Sequence, residues 1–114
     1  FHDHNLDDVL ANGRPTVLLI ATPGFCQTDI CGPVVDLLIE AAPGYAGIDF
    51  IHAEVYVDPA EFEGGGFPDT SPIVAALGLP YEPILLAANA TGEIVTRLDL
   101  TWDRAELNEA IATL

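Results

Sequence analysis

The apolar residues of this chain change period several times, and each change marks an element. In NLDDVLANG, Leu6, Val9 and Leu10 recur at helical spacing, with Asn5 or Asp7 at the start and Gly13 at the end as caps. After Arg14-Pro15, TVLLIA (16–21) is an unbroken apolar run, the pattern of a strand buried on both faces. VVDLLIEAA (34–42) returns to helical spacing through Val34, Leu37, Leu38 and Ala41, and Pro43-Gly44 ends it. IDFIHAEVYVD (48–58) alternates instead: Ile51, Ala53, Val55 and Val57 share one face, and Phe50, His52, Glu54 and Tyr56 the other. Residues 58–72, DPAEFEGGGFPDTSP, carry three consecutive glycines and three prolines, which predicts a surface loop without a strand or long helix. A short helix over IVAALG (73–78) follows, then PILLAANATGEIVTRLDL (83–100) as a hairpin around Asn89-Ala90-Thr91-Gly92. DRAELNEAIATL (103–114) closes the chain as a helix, with Asp103 and Glu106 spaced as a capping box.

The predicted order is α-β-α-β-α-β-β-α. A βαβ unit followed by a hairpin and a closing helix gives an α/β fold, a mixed sheet covered by helices on both faces. No internal repeat and no second domain interrupt it, so residues 1–114 read as one domain.

Charge narrows the function classes. Eighteen acidic residues stand against three arginines and no lysine, a formal net charge of −15. Nucleic-acid binding needs clustered cations and is excluded as an expectation, as is an anionic membrane surface. No run of eighteen apolar residues is present, so no membrane insertion of this domain is expected. The acidity reads as solubility and self-repulsion, and the expected state is a monomer. The chain begins at Phe1, and an extracytoplasmic setting, secreted or membrane-tethered, is slightly favoured over a cytoplasmic one.

The candidate chemistry is concentrated in TPGFCQTDICGP (22–33), which holds both cysteines, Cys26 and Cys31. A redox couple, a metal clip and two neighbouring structural thiols are the readings open to them. A helix through both would set their Cα atoms ~8.7 Å apart, beyond the ~7 Å that a disulfide tolerates. Pro33 offers an exit. It disfavours helical angles at Gly32 and suits a first helical position itself. A helix that starts at Pro33 frees residues 26–31 for a disulfide-bearing loop, and reduction then lets the segment wind into a further turn. A metal clip needs three or four ligands. His52 is the only internal histidine, and His2 and His4 lie at the terminus, so no metal is expected.

On these residues the chain resembles the thioredoxin-like superfamily over nearly its whole length. The carriers are the buried strand running into the cysteine segment, the proline-bearing helix ICGPVVDLLIE, the strand FIHAEVYVD ending in aspartate, and LGLPYEPILLAANATGEIV, similar to the family's proline-strand-turn-glycine-strand ending. The resemblance implies a four-stranded mixed sheet flanked by helices on both faces, a cis peptide before Pro83 beside the active site, and no cofactor. It implies a thiol–disulfide oxidoreductase in which Cys26 attacks and Cys31 resolves, working on protein thiol or disulfide substrates with a thiol electron donor. Cys26 follows the Pro23-Gly24-Phe25 turn where this fold exposes its first cysteine, whereas Cys31 adjoins the apolar stripe. Glu54 falls near the position of thioredoxin's lysine beneath the active site, where a partly buried carboxyl would move protons to and from Cys31.

Several positions depart from the pattern. The spacing is Cys-x4-Cys, Leu18 stands where thioredoxin has its buried aspartate, and RLDLTWD lacks the glycine expected after the last strand. With no cation near Cys26 and with Asp29 close by, its pKa is expected only modestly below the free value of ~8.5, which suits a reductant. TPGFCQTDIC also resembles the active-site segment of the peroxiredoxin Q subfamily with one residue inserted. That alternative, a thiol peroxidase, has Arg97 as its only placed arginine. A non-catalytic binding module with structural cysteines and a partner-docking acidic loop is the other alternative.

Overall fold

A computed structural model describes residues 8–9, 12–22, 31–58 and 69–114. The elements are β1 (Thr16–Ile20), α1 (Cys31–Ala41) with a 3-10 turn at Ala42–Gly44, β2 (Asp49–Ala53), α2 (Pro72–Leu77), β3 (Ile84–Ala88), β4 (Ile94–Asp99) and α3 (Arg104–Ala112). Asp8 and Val9 are helical, and the rest of the first predicted helix lies outside the described residues.

The strands form one mixed sheet in the order β2-β1-β3-β4. β1 runs parallel to β2 and antiparallel to β3, and β3 pairs antiparallel with β4. As the apolar run predicts, every residue of β1 is buried. Its alternate side chains feed two separate cores. Val17, Leu19 and Ala21 join Leu85 under α1 and α3, against Val34, Leu38, Trp102, Leu107 and Ile111. Leu18 and Ile20 join Ile51, Val55, Ile84 and Leu86 on the opposite face, where Ile73, Val74 and Leu79 of the α2 region pack. The sheet is thus covered on both sides, the expected α/β architecture.

Three boundaries differ from the sequence expectation. Cys31 and Gly32 are already helical, ahead of the Pro33 start that would free the cysteine segment as a loop. The second strand stops at Ala53 rather than reaching residue 58. Beyond it the alternation fails: Tyr56 packs on the same core as Val55, and Val57 is exposed. The end of the 58–72 segment is also more regular than a free loop. Thr70 bridges Tyr56, Ser71 N–H donates to Val55 O at 2.6 Å, and Val57 N–H donates to Asp69 O at 2.9 Å. Pro72 already belongs to α2, and residues 59–68 lie outside the described residues.

Two turns follow the sequence closely. The Asn89 side chain accepts from the Thr91 and Glu93 amides and holds the β3–β4 turn. Asp103 accepts from Glu106 N–H while Glu106 accepts from Asp103 N–H, both at 2.8 Å, which completes the predicted capping box. After β4, Leu100 takes a left-handed backbone (φ 64°) at the place where the resemblance calls for glycine.

Asp103→Ala removes one half of that box and is expected to lower unfolding stability by about 1 kcal/mol in urea titration. Leu38→Ala, which empties a fully buried position between α1 and the sheet, is expected to cost about 3 kcal/mol by the same measurement.

Candidate functional site

The end of β1, the start of α1 and the turn into β3 converge at one corner of the sheet. Thr22 follows β1 and is buried. Its hydroxyl accepts from Val55 N–H at 2.9 Å, which ties the exit of β2 to the exit of β1. Cys31 lies in α1 and is fully buried, because it occupies the same helical stripe as Val34 and Leu38. From the other side comes the turn before β3, in which Glu82 precedes Pro83 and the peptide between them is cis.

Glu82 is the unexpected member of the group. It is only 2% exposed, and its Oε1 lies 3.6 Å from Cys31 Sγ. The Thr22 backbone N–H donates to its carboxylate, whereas Oε2 has no hydrogen-bond partner. Burial raises its pKa from 4.5 to about 7, the Thr22 amide opposes the rise, and the neighbouring Glu54 charge adds to it. Glu54 is half-buried beyond the end of β2, and its own Oε2 is buried without a partner. An open cavity of about 160 Å³ lies beside the pair, lined by Glu82, Tyr81, Val55, Tyr56 and Thr70 among others.

The site residues named from sequence therefore meet in part. Cys31 meets Glu82, the residue before Pro83, and Glu54 approaches through its effect on Glu82. Cys26 lies outside the described residues. Sequence reasoning missed Glu82, although a signal was present: an acidic residue directly ahead of the pre-strand proline, in a segment that is otherwise apolar. His52 Nε2 is engaged with the Ala21 carbonyl at 2.7 Å. Among the described residues no group of three or more His, Cys, Asp or Glu is arranged to hold a metal ion. Arg97 is half-exposed on β4, and its Nε donates to Asp99 at 2.8 Å.

The raised Glu82 pKa has a consequence for stability. In the native protein Glu82 stays protonated at pH values where the unfolded chain has already lost that proton, so its contribution falls as pH rises. The window runs from 4.5 to about 7, and the loss reaches about 3 kcal/mol. Urea unfolding of the wild type and of Glu82→Gln between pH 4 and 8 should show this divergence, with the variant flat where the wild type declines.

No protein-family model and no curated protein matches the sequence. Solved structures do. A secreted Mycobacterium tuberculosis disulfide oxidoreductase homologous to E. coli DsbE aligns over 90% of this chain and 83% of its own, at 20% identity and a TM-score of 0.68. The exposed lipoprotein thioredoxin Etrx1 of Streptococcus pneumoniae aligns over 97% and 91%, at 13% identity and a TM-score of 0.71. Mitochondrial thioredoxin 3 of Saccharomyces cerevisiae aligns over 94% and 85%, at 10% identity and a TM-score of 0.65. At these identities the likeness concerns the fold, and it agrees with the strand order and the two-sided helical cover described above. The chain is a thioredoxin-fold protein.

Proposed function

We propose that this protein is a thiol–disulfide oxidoreductase acting on protein disulfides, with Cys26 as the attacking thiolate and Cys31 as the resolving thiol. The observation that carries the reading is the setting of Cys31: a fully buried sulfur at the start of α1, 3.6 Å from a buried carboxyl in the turn that holds cis Pro83. A structural cysteine needs only apolar packing, and a buried carboxyl beside it is costly unless the site uses it.

In the proposed exchange the Cys26 thiolate attacks a substrate sulfur and forms a mixed disulfide, releasing one substrate thiol. Cys31 then attacks Cys26 Sγ, the internal disulfide forms, and the second substrate thiol departs. A thiol donor returns the pair to the dithiol, and no cofactor takes part. Residues on both sides of Cys31 supply a division of labour, since access favours the cysteine outside the apolar stripe and shielding favours resolution by the one within it. The peroxidase alternative draws less support, because the guanidinium of Arg97 is engaged by Asp99 on the half-exposed edge strand. The relatives of similar fold include a secreted protein and an exposed lipoprotein, and the described residues contain no helix long and apolar enough to cross a membrane. The secreted and exposed neighbours are what support an extracytoplasmic setting.

With dithiothreitol as donor, the protein is expected to catalyse insulin reduction, and Cys26→Ser is expected to abolish it. Cys31→Ser should instead accumulate a mixed disulfide with substrate through Cys26. Iodoacetamide should label Cys26 of the reduced protein before Cys31. Faster labelling of Cys31, or normal turnover by Cys31→Ser, would reverse the assignment of roles. Absence of insulin reduction together with peroxide consumption that requires Cys26 would replace the reading with the peroxidase.

A further inference from the structure

We infer that the outer edge of β4 is a docking site for an extended, cationic segment of a protein partner, which adds to the sheet as a fifth strand. The inference stands apart from the redox reading of the cysteines and does not depend on it.

The sheet ends differently on its two sides. β2 is outermost on one side, and each of its residues is buried or half-buried. β4 is outermost on the other, where Ile94, Val95, Arg97 and Asp99 are exposed, Ile94 by 51%. The ladder shows which backbone groups of β4 face outward. Leu100 N–H donates to Pro83 O at 2.9 Å. Leu98 lies opposite Leu85 and Thr96 opposite Ala87. Hydrogen-bonded rungs alternate along an antiparallel pair, so Leu100, Leu98 and Thr96 are the residues bonded to β3. Arg97 therefore turns its N–H and C=O away from β3, and Asp99 turns its N–H the same way. Among the described residues no further strand pairs with them. An edge with outward donors and acceptors is a template for another chain. The register shift between Ala87 and Ala88 limits the template to Thr96–Asp99, beyond which the strand bends.

Each face of this edge offers a different surface. Thr96 and Leu98 lie on the α3 side, where with Ala110, Thr113 and the exposed Glu106 and Glu109 they line an open groove of about 270 Å³. Arg97 lies opposite Leu86, on the α2 side. There Leu86, Ala88 and Ile94 floor an apolar hollow beneath Ile73 and Leu77. An antiparallel fifth strand meets both surfaces, because its side chains alternate. The residue opposite Arg97 exchanges both hydrogen bonds with it and projects toward the apolar side. The residues before and after that one project over the α3 groove.

Charge selects the occupant. Glu106 and Glu109 bring two carboxylates to the groove, and the chain has no lysine. Its three arginines are engaged by other acids: Arg14 by Asp49, Arg104 by Glu40, and Arg97, on the opposite face of β4, by Asp99. Cationic side chains on the two groove-facing positions complement this arrangement, and an apolar one suits the position between them. A second copy of the chain would instead carry another net charge of −15 to the same edge. Like charges brought together across a strand pair oppose that assembly. A basic, alternating segment is what fits.

The test uses the full chain, labelled with nitrogen-15, and a blocked peptide of alternating valine and lysine as the probe. Titration is expected to shift the amides around Arg97 and Asp99, protect the Arg97 amide from hydrogen exchange, and weaken as salt is raised. Shifts centred on β2, or spread over the acidic surface with Arg97 unprotected, overturn the inference. The valine amides face β4 in the proposed pairing, so methylating those nitrogens is expected to weaken binding about tenfold. Methylating the lysine amides, which face away, should change it by less than about twofold. Equal losses from the two peptides mean that charge alone binds, and overturn the strand pairing. Glu109→Lys is expected to weaken binding about fivefold, and a peptide with glutamate in place of lysine should not bind. Wild-type affinity in Glu109→Lys overturns the cationic occupant. Arg97→Pro removes an outward N–H without removing a rung to β3 and is expected to cost about fivefold. The methylated peptides keep the test decisive if that variant does not fold. In sedimentation the chain alone is expected as a monomer, and a dimer that Arg97→Pro dissociates would put a second copy in the partner's place and overturn the inference.

Discussion

No side chain of β1 is more than 7% exposed, and a strand with no exposed face must have a layer on each side and a neighbour on each edge. β2 and β3 supply the edges in opposite senses, parallel and antiparallel. α1 and α3 cover one face, and the α2 region with Val9 covers the other. The chain then has little freedom in where β1 may end. It emerges between its two partners, so Thr22 is delivered to the corner where β2 ends and the turn into β3 passes. A single residue at that exit anchors both, with its hydroxyl on Val55 N–H and its own amide on the Glu82 carboxylate.

Burial of Glu82 is costly in isolation. A carboxyl with one unpartnered oxygen, 2% exposed and next to a second carboxyl, holds its proton up to about pH 7 rather than ionise freely. The sheet beside it tolerates the group because the two central strands, β1 and β3, carry no charged side chain and are paired on both edges, so the penalty is confined to one group. Buried polar groups of this kind occur where a fold carries chemistry. Cys31 Sγ is the group that Glu82 reaches.

Much of this was legible in the sequence, for reasons that can be named. The run TVLLIA has no polar residue to turn toward water, and Asp103 with Glu106 carries its own cap, so burial and helix start are both local properties. The resemblance supplied the cis peptide before Pro83, which no local pattern contains. The boundary of β2 was misjudged because alternation continues in the letters through Val57 although the pairing strand, β1, ends at Ile20; the partner's length, not the pattern, stops the ladder. Glu54 drew attention over Glu82 for a similar reason. Strand alternation assigns a residue to a face, but how far a turn folds back over a helix start is a tertiary fact. Cys26 was singled out by sequence alone, and the described residues do not include it.

The distribution of charge gives the site its final character. With a net charge of −15 the chain has three cations to place, and each is paired with an acid: Arg14 with Asp49, Arg97 with Asp99, and Arg104 with Glu40. None of these pairs involves Cys31 or Glu82. A strongly oxidising pair needs a thiolate held by positive charge or by many donors, since stabilising the reduced form is what makes the disulfide eager for electrons. Here the group beside the buried sulfur is a carboxyl, and the cations of the three ion pairs lie elsewhere, so nothing among the described residues supplies positive charge at that corner of the sheet.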